Sequence, residues 1–268
     1  MAETVVEQPA ATPVATEKKP QAAPSKERAA ASSKRMVFVT GDKGGVGKSC
    51  FARFLLDVYR TRNIPCRAFD SDTANPDLYR YYKNLPPGVE RVDFTNRGQS
   101  DFLIDILPAQ KDMILVDLPA RAQADLTTFI REVRLTEQAK RFGFRVTFCS
   151  VISKERTSVV VLQELVEMCG NSVDYVVVKN LCHGESNQFH RYNESEVHKH
   201  MAKLGGVEIN MKELFYTSWD AIADQDLPFR FAANTEKSPL TITQTARTAT
   251  WLEEMETAIA PAHPFLGL

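Results

Sequence analysis

The 268-residue chain carries 33 Lys and Arg against 34 Asp and Glu, a formal net charge of -1, which excludes a protein that holds nucleic acid by overall positive charge. Its 43% hydrophobic and 25% charged residues are those of an ordinary globular protein and exclude a fibrous one. No apolar run reaches the roughly eighteen residues of a membrane span and the N-terminus lacks the apolar stretch of a secretory signal, so a cytoplasmic location without membrane attachment is expected.

Residues 1–34 are Ala, Pro, Glu, Lys, Gln and Ser with almost no large apolar side chain, and are predicted to form a disordered leader. Residues 35–268 are then expected to form one folded domain. It opens with the apolar strand Met36 to Thr40, a glycine-rich turn, and a helix whose Phe51, Phe54, Leu55, Val58 and Tyr59 recur at helical spacing. Further strands are predicted at 66–69, 113–116, 145–149 and 175–178, with helical segments at 122–142, 155–169 and 194–203 and a closing helix over 241–259 ended by Pro261 and Pro264. Continuous Val, Ile and Phe runs alternating with helices imply an α/β fold, a parallel sheet covered on both faces by helices. The five cysteines are scattered without a Cys-x-x-Cys pair, which suggests neither a disulfide framework nor an iron-sulfur site. His183, His190, His198 and His200 lack the spacing of two ligands on one helix face and are assigned no metal.

Gly41-Asp42-Lys43-Gly44-Gly45-Val46-Gly47-Lys48-Ser49 joins the first strand to the first helix. There, backbone N–H groups and a helix N-terminus can surround phosphates. Gly44, Gly45 and Gly47 allow close backbone approach, Lys48 would contact the β- and γ-phosphates, and Ser49 would offer its hydroxyl to Mg²⁺. A strict phosphate loop has Gly where Asp42 stands. Downstream, Asp70 and Asp72 follow the second strand, where they could face a ligand crevice or simply form a turn and helix cap. Met113 to Val116 run into Asp117, the pattern that holds hydrated Mg²⁺ opposite the loop serine.

Lys43-Gly44-Gly45-Val46-Gly47-Lys48-Ser49 resembles the deviant Walker A motif of the ParA/MinD ATPases, and the Asp70-Ser71-Asp72 and Asp117-Leu118-Pro119 segments are similar to that family's later motifs. The resemblance implies a P-loop NTPase fold with ATP and Mg²⁺ as cofactors. It also implies that Lys43 is a signature lysine reaching across an ATP-dependent homodimer, that Asp72 orients the attacking water, and that Ser49, Asp117 and Asp70 form the Mg²⁺ shell. Gly44 to Ser49 would bind the phosphates; the family usually has Thr where Cys50 stands, which leaves the α-phosphate contact there in question. Asn180 matches an adenine-contacting position and reads equally as a buried or turn-forming Asn, and no guanine-reading Asn-Lys-x-Asp follows it. Arg121, Arg131, Arg134, Lys140, Arg141 and Arg145 could form a face for non-specific DNA or a merely solvated one. The function implied is slow, partner-stimulated ATP hydrolysis that positions or maintains plasmid DNA or another cargo, with a stimulating protein of unspecified identity. A metabolic or cluster-transfer ATPase of the same superfamily and a nucleotide-gated interaction switch in conjugation are the alternatives.

Overall fold

A computed structural model describes Met1 and residues 34–268; residues 2–33 of the predicted leader lie outside the described residues, and Lys34, expected as its last residue, belongs to the first strand. Seven strands form one sheet: β1 Lys34–Thr40, β2 Cys66–Asp70, β3 Val89–Arg91, β4 Met113–Asp117, β5 Phe144–Ile152, β6 Asp174–Asn180 and β7 Val207–Met211. Their order is β3-β2-β4-β1-β5-β6-β7, and every pairing is parallel. All carboxyl ends therefore lie on one edge, and each strand needs a crossover over one face or the other.

The side-chain alternation of a strand divides the core into two layers. In β1, Val37 and Val39 pack with the helices Lys48–Thr61, Tyr216–Asp224 and Ile242–Ala258, whereas Met36 and Phe38 pack on the other face with the helices Gln123–Glu132, Leu135–Arg141 and Arg156–Cys169. Burial on both faces explains why β1, β4, β5 and β6 read as unbroken apolar runs. The short β3 and the half-buried edge strand β7 lack that pattern and are not predicted by it. The expected helix over 122–142 is two helices, broken at Arg134, which takes a left-handed φ of 50°.

The closing helix begins on a capping box of Thr241 and Gln244. It ends at Ala258, ahead of Pro261 and Pro264, as expected, but short helical turns follow. A 3-10 turn, Ala260–Ala262, leads into the helix His263–Leu266, and Leu266 is fully buried, its carbonyl accepting from Tyr59 Oη at 2.6 Å. Among the described residues no helix is long and apolar enough to cross a membrane.

Candidate nucleotide-binding site

The loop 41–47 turns over the carboxyl end of β1 and is held from below. Gly41 lies so close to β5 that a Cβ there would stand 2.8 Å from the Val151 carbonyl oxygen. Val46 is fully buried, and its carbonyl accepts from Asn180 Nδ2 at 2.9 Å. Gly47 has φ 106°, and a Cβ on it would meet Asn180 Nδ2 at 2.4 Å and Met211 Cε at 2.8 Å. A Gly47→Ala protein is thus expected to lose about 3 kcal/mol of stability from left-handed strain and overpacking together. Urea denaturation measures this, and a loss under about 1 kcal/mol would refute the buttress.

Gly47 caps the helix Lys48–Thr61 without a side-chain hydrogen bond, and no acidic residue occupies the first turn. Its leading N–H groups are therefore left for an anion. Lys48 is only 6% exposed and donates to the Lys43 carbonyl oxygen at 2.9 Å. Burial holds its ammonium below the usual lysine range, opposed by Asp117, Asp72 and Asp42. Cys50 follows in the first turn, its thiol pushed up to about 12 by burial, which leaves it a neutral, weak donor.

Parallel register sets the acidic side of the site: Asp117 pairs with Val39 across β1 and with Asp70 across β2. Asp117 is fully buried, and neither carboxylate oxygen has a hydrogen-bond partner of good geometry among the described residues. Burial, then Asp70, pushes its pKa well above the carboxylate range, while Ser49 and Lys48 beside it favour the charged form. A buried acceptor pair this poorly supplied with donors in a folded protein points to a cation or its waters. The residues fit hydrated Mg²⁺: Asp117 with its open oxygens and Ser49 with its hydroxyl would hold it.

Asp70 is tied to the backbone: one of its oxygens accepts from Asp72 N at 3.0 Å and the other from Tyr79 N at 2.8 Å, and the residue is 1% exposed. These bonds organise the loop after β2, and burial raises its pKa to about 6. Ser71 ties the same loop to β4, donating Oγ–H to the Asp117 carbonyl oxygen at 2.5 Å. Asp72 spends Oδ1 on Ala74 N at 3.0 Å and Asn75 N at 2.9 Å, the turn alternative realised, and its Oδ2 has no hydrogen bond among the described residues. That second oxygen is available for a water.

Asn180 is 5% exposed, with Nδ2 on Val46 and Oδ1 accepting from Cys182 N at 3.2 Å, so its amide supports the loop from below. Gly44 and Gly45 face open space, as a phosphate cradle needs. Lys43 stands at the surface, its side chain 37% exposed and paired with Glu155.

Two contacts have no counterpart in the local sequence pattern. The Asp42 carboxylate accepts from Thr157 Oγ1 at 2.6 Å and Ser158 Oγ at 2.9 Å, docking the loop on the helix Arg156–Cys169. The departure from glycine at Asp42 thus has a use, and the polar run Ser153 to Ser158 after an apolar strand is its only signal. Of the basic residues proposed for DNA, Arg121, Arg131, Arg134, Lys140 and Arg141 are exposed, but Arg134 pairs with Glu137. Arg145 leaves the set: it binds Asp174 at 2.8 Å and the carbonyls of Asn171 and Ser172. Among the described residues no group of three or more His, Cys, Asp and Glu could hold a metal ion by itself.

A parallel α/β sheet with this loop, a buried Lys48 and an unpartnered Asp117 defines a P-loop nucleotide-binding fold with an additional loop lysine. No protein-family profile matches the chain. It is similar to Protein MobD of Acidithiobacillus ferrooxidans, 24% identical over 227 residues that span 83% of this chain and 95% of that protein. Among solved structures it is similar to the septum site-determining protein MinD of Pyrococcus horikoshii complexed with Mg-ADP, at TM-score 0.49 and 14% identity over 85% of this chain and 98% of that one. It is also similar to the McdA–ATP complex of Cyanothece, at TM-score 0.47 and 10% identity over 84% and 97% of the two chains. Both structures are of the ParA/MinD type that the loop resembles.

Proposed function

We propose that the chain is an ATP-driven switch: it binds Mg²⁺-ATP in the loop, pairs with a second copy of itself, and is reset by slow hydrolysis that a protein partner stimulates. The observation that carries this reading is the orphaned Asp117 carboxylate facing Ser49 beneath an intact phosphate loop. Bound Mg²⁺ would neutralise charge on the β- and γ-phosphates. The protein's own part is to hold the phosphates on Lys48 and the helix N–H groups, and to orient water at Asp72 Oδ2. Lys43 fits a role toward the second copy, because its exposed pairing with Glu155 contributes under about 1 kcal/mol and is readily exchanged for a phosphate. Maintenance of plasmid DNA, with non-specific DNA held by Arg131, Lys140 and Arg141, is the cargo reading we favour.

The test uses the full chain with ATP and Mg²⁺, with ADP, and without nucleotide. Light scattering reads its mass, phosphate release its turnover, and a non-specific duplex at stated salt its DNA binding. Expected are an ATP-selective doubling of mass and ATP-selective DNA binding. Nucleotide-independent or absent DNA binding would remove the cargo reading, and an unchanged mass would remove the dimer.

A further inference from the structure

Four non-glycine residues among those described have a left-handed backbone: Asn63, Arg121, Arg134 and Asp226, with φ between 50° and 61°. Three have an ordinary account. Asn63 and Asp226 are of the residue types that tolerate this region, and Asp226 also pairs with Arg80 at 3.0 Å. Arg134 breaks two helices and pairs with Glu137 at 3.7 Å. Arg121 has neither excuse: it is exposed and makes no hydrogen bond or ion pair among the described residues.

Its conformation is imposed from both sides. Leu118, 1% exposed, donates its N–H to the Val39 carbonyl at 3.0 Å, and Ala122, 3% exposed, accepts at its carbonyl from Leu126 N at 2.7 Å. Between these anchors glycine would cost the least strain, so folding gives no reason for an arginine. Arginine does have a reason to be there if a ligand supplies the missing partner. Four residues span at most about 14 Å, which keeps the Arg121 backbone close to Asp117 and its long side chain within reach of the same crevice.

The ligand end it faces follows from the layout. Lys48, Ser49, Asp72 and Asp117 gather on the side of the loop toward β4 and β2, whereas Gly47 leans on Asn180 and Met211 at the ends of β6 and β7. Terminal phosphates therefore lie toward β4, whose outgoing loop carries Arg121. That corner holds Asp70, Asp72 and Asp117 against the single buried cation Lys48, so the extra charge of a triphosphate arriving there with its Mg²⁺ is stabilised by a further positive group. We infer that Arg121 is a γ-phosphate-binding residue that distinguishes a nucleoside triphosphate from a diphosphate; this rests on the reading of the loop as a Mg²⁺-ATP site.

The test titrates the full chain, Arg121→Gly and Arg121→Lys with ADP and with a non-hydrolysable ATP analogue, each with Mg²⁺, and records thermal melts. Expected for Arg121→Gly is a melting temperature at or above the parent's, unchanged ADP affinity, and affinity for the analogue about tenfold lower or more, the loss of one charge-assisted contact. Arg121→Lys, which keeps both charge and strain, should recover most of the difference. Equal affinities for the analogue in all three proteins, or a parallel loss of ADP and analogue, would overturn the assignment. A parent that binds neither nucleotide would instead sink the underlying reading, which separates the two failures.

Discussion

A Lys48→Ala protein is expected to bind ADP and ATP about a hundredfold more weakly than the parent, or worse, while its melting temperature moves by no more than about 5 °C. The first effect follows from what the ammonium would touch. Lys48 sits in the first turn of a helix whose N-terminus is uncapped by any side chain, and charge-assisted contacts to two phosphates contribute on the order of 3 kcal/mol. The second follows from opposed terms. Removing the side chain relieves the desolvation that dominates its shift, and at the same time takes away a neighbour that favours charge on Asp117. Isothermal titration with both nucleotides checks the binding, and a variant within about threefold of the parent would show that the loop is not the nucleotide site.

How much of this is legible in the sequence depends on which forces a residue reports. The strands β1, β4, β5 and β6 were visible because burial on both faces demands unbroken apolar runs, and Asp117 was visible because it ends one of them. The contacts of Asp70 and Asn180 were not, since an Asp or Asn beside a phosphate loop reads alike whether its side chain meets a ligand or a backbone amide. The bonds to Tyr79 N, Asp72 N, Val46 O and Cys182 N are what the fold adds. Asp42 and Glu155 show a different limit. Their partners lie 112 to 116 residues away in sequence, and no local spacing announces a contact across two neighbouring strand ends. The break at Arg134 and the strain at Arg121 were also invisible, because nothing in an arginine's composition marks a left-handed backbone.

Asp117→Asn should separate the cost of this site from its use, because its two effects have opposite signs. In the ligand-free protein Asp117 and Asp70 both have pKa values raised by burial, Asp70 to about 6. The folded chain therefore binds protons more tightly than the unfolded chain above the ordinary carboxylate range. Ligand-free stability must then fall as pH rises through that window, by roughly 3 kcal/mol from Asp70 alone. The amide that replaces the Asp117 carboxylate cannot titrate and has no charge to desolvate, so the variant is expected to match the parent near pH 5 and exceed its stability at pH 8, with the Asp70 slope retained. Bound Mg²⁺ reverses the sign for the parent, since a ligand carboxylate must be ionised and binding releases its proton. Parental affinity for Mg²⁺-nucleotide should accordingly rise with pH, whereas the variant should bind nucleotide almost equally with Mg²⁺ and with a chelator and lose hydrolysis by about a hundredfold or more. Urea melts at the two pH values and titrations with and without Mg²⁺ decide it. A variant that is no more stable at pH 8 and keeps its response to Mg²⁺ would mean that the unpartnered carboxylate of Asp117 is not the metal's anchor.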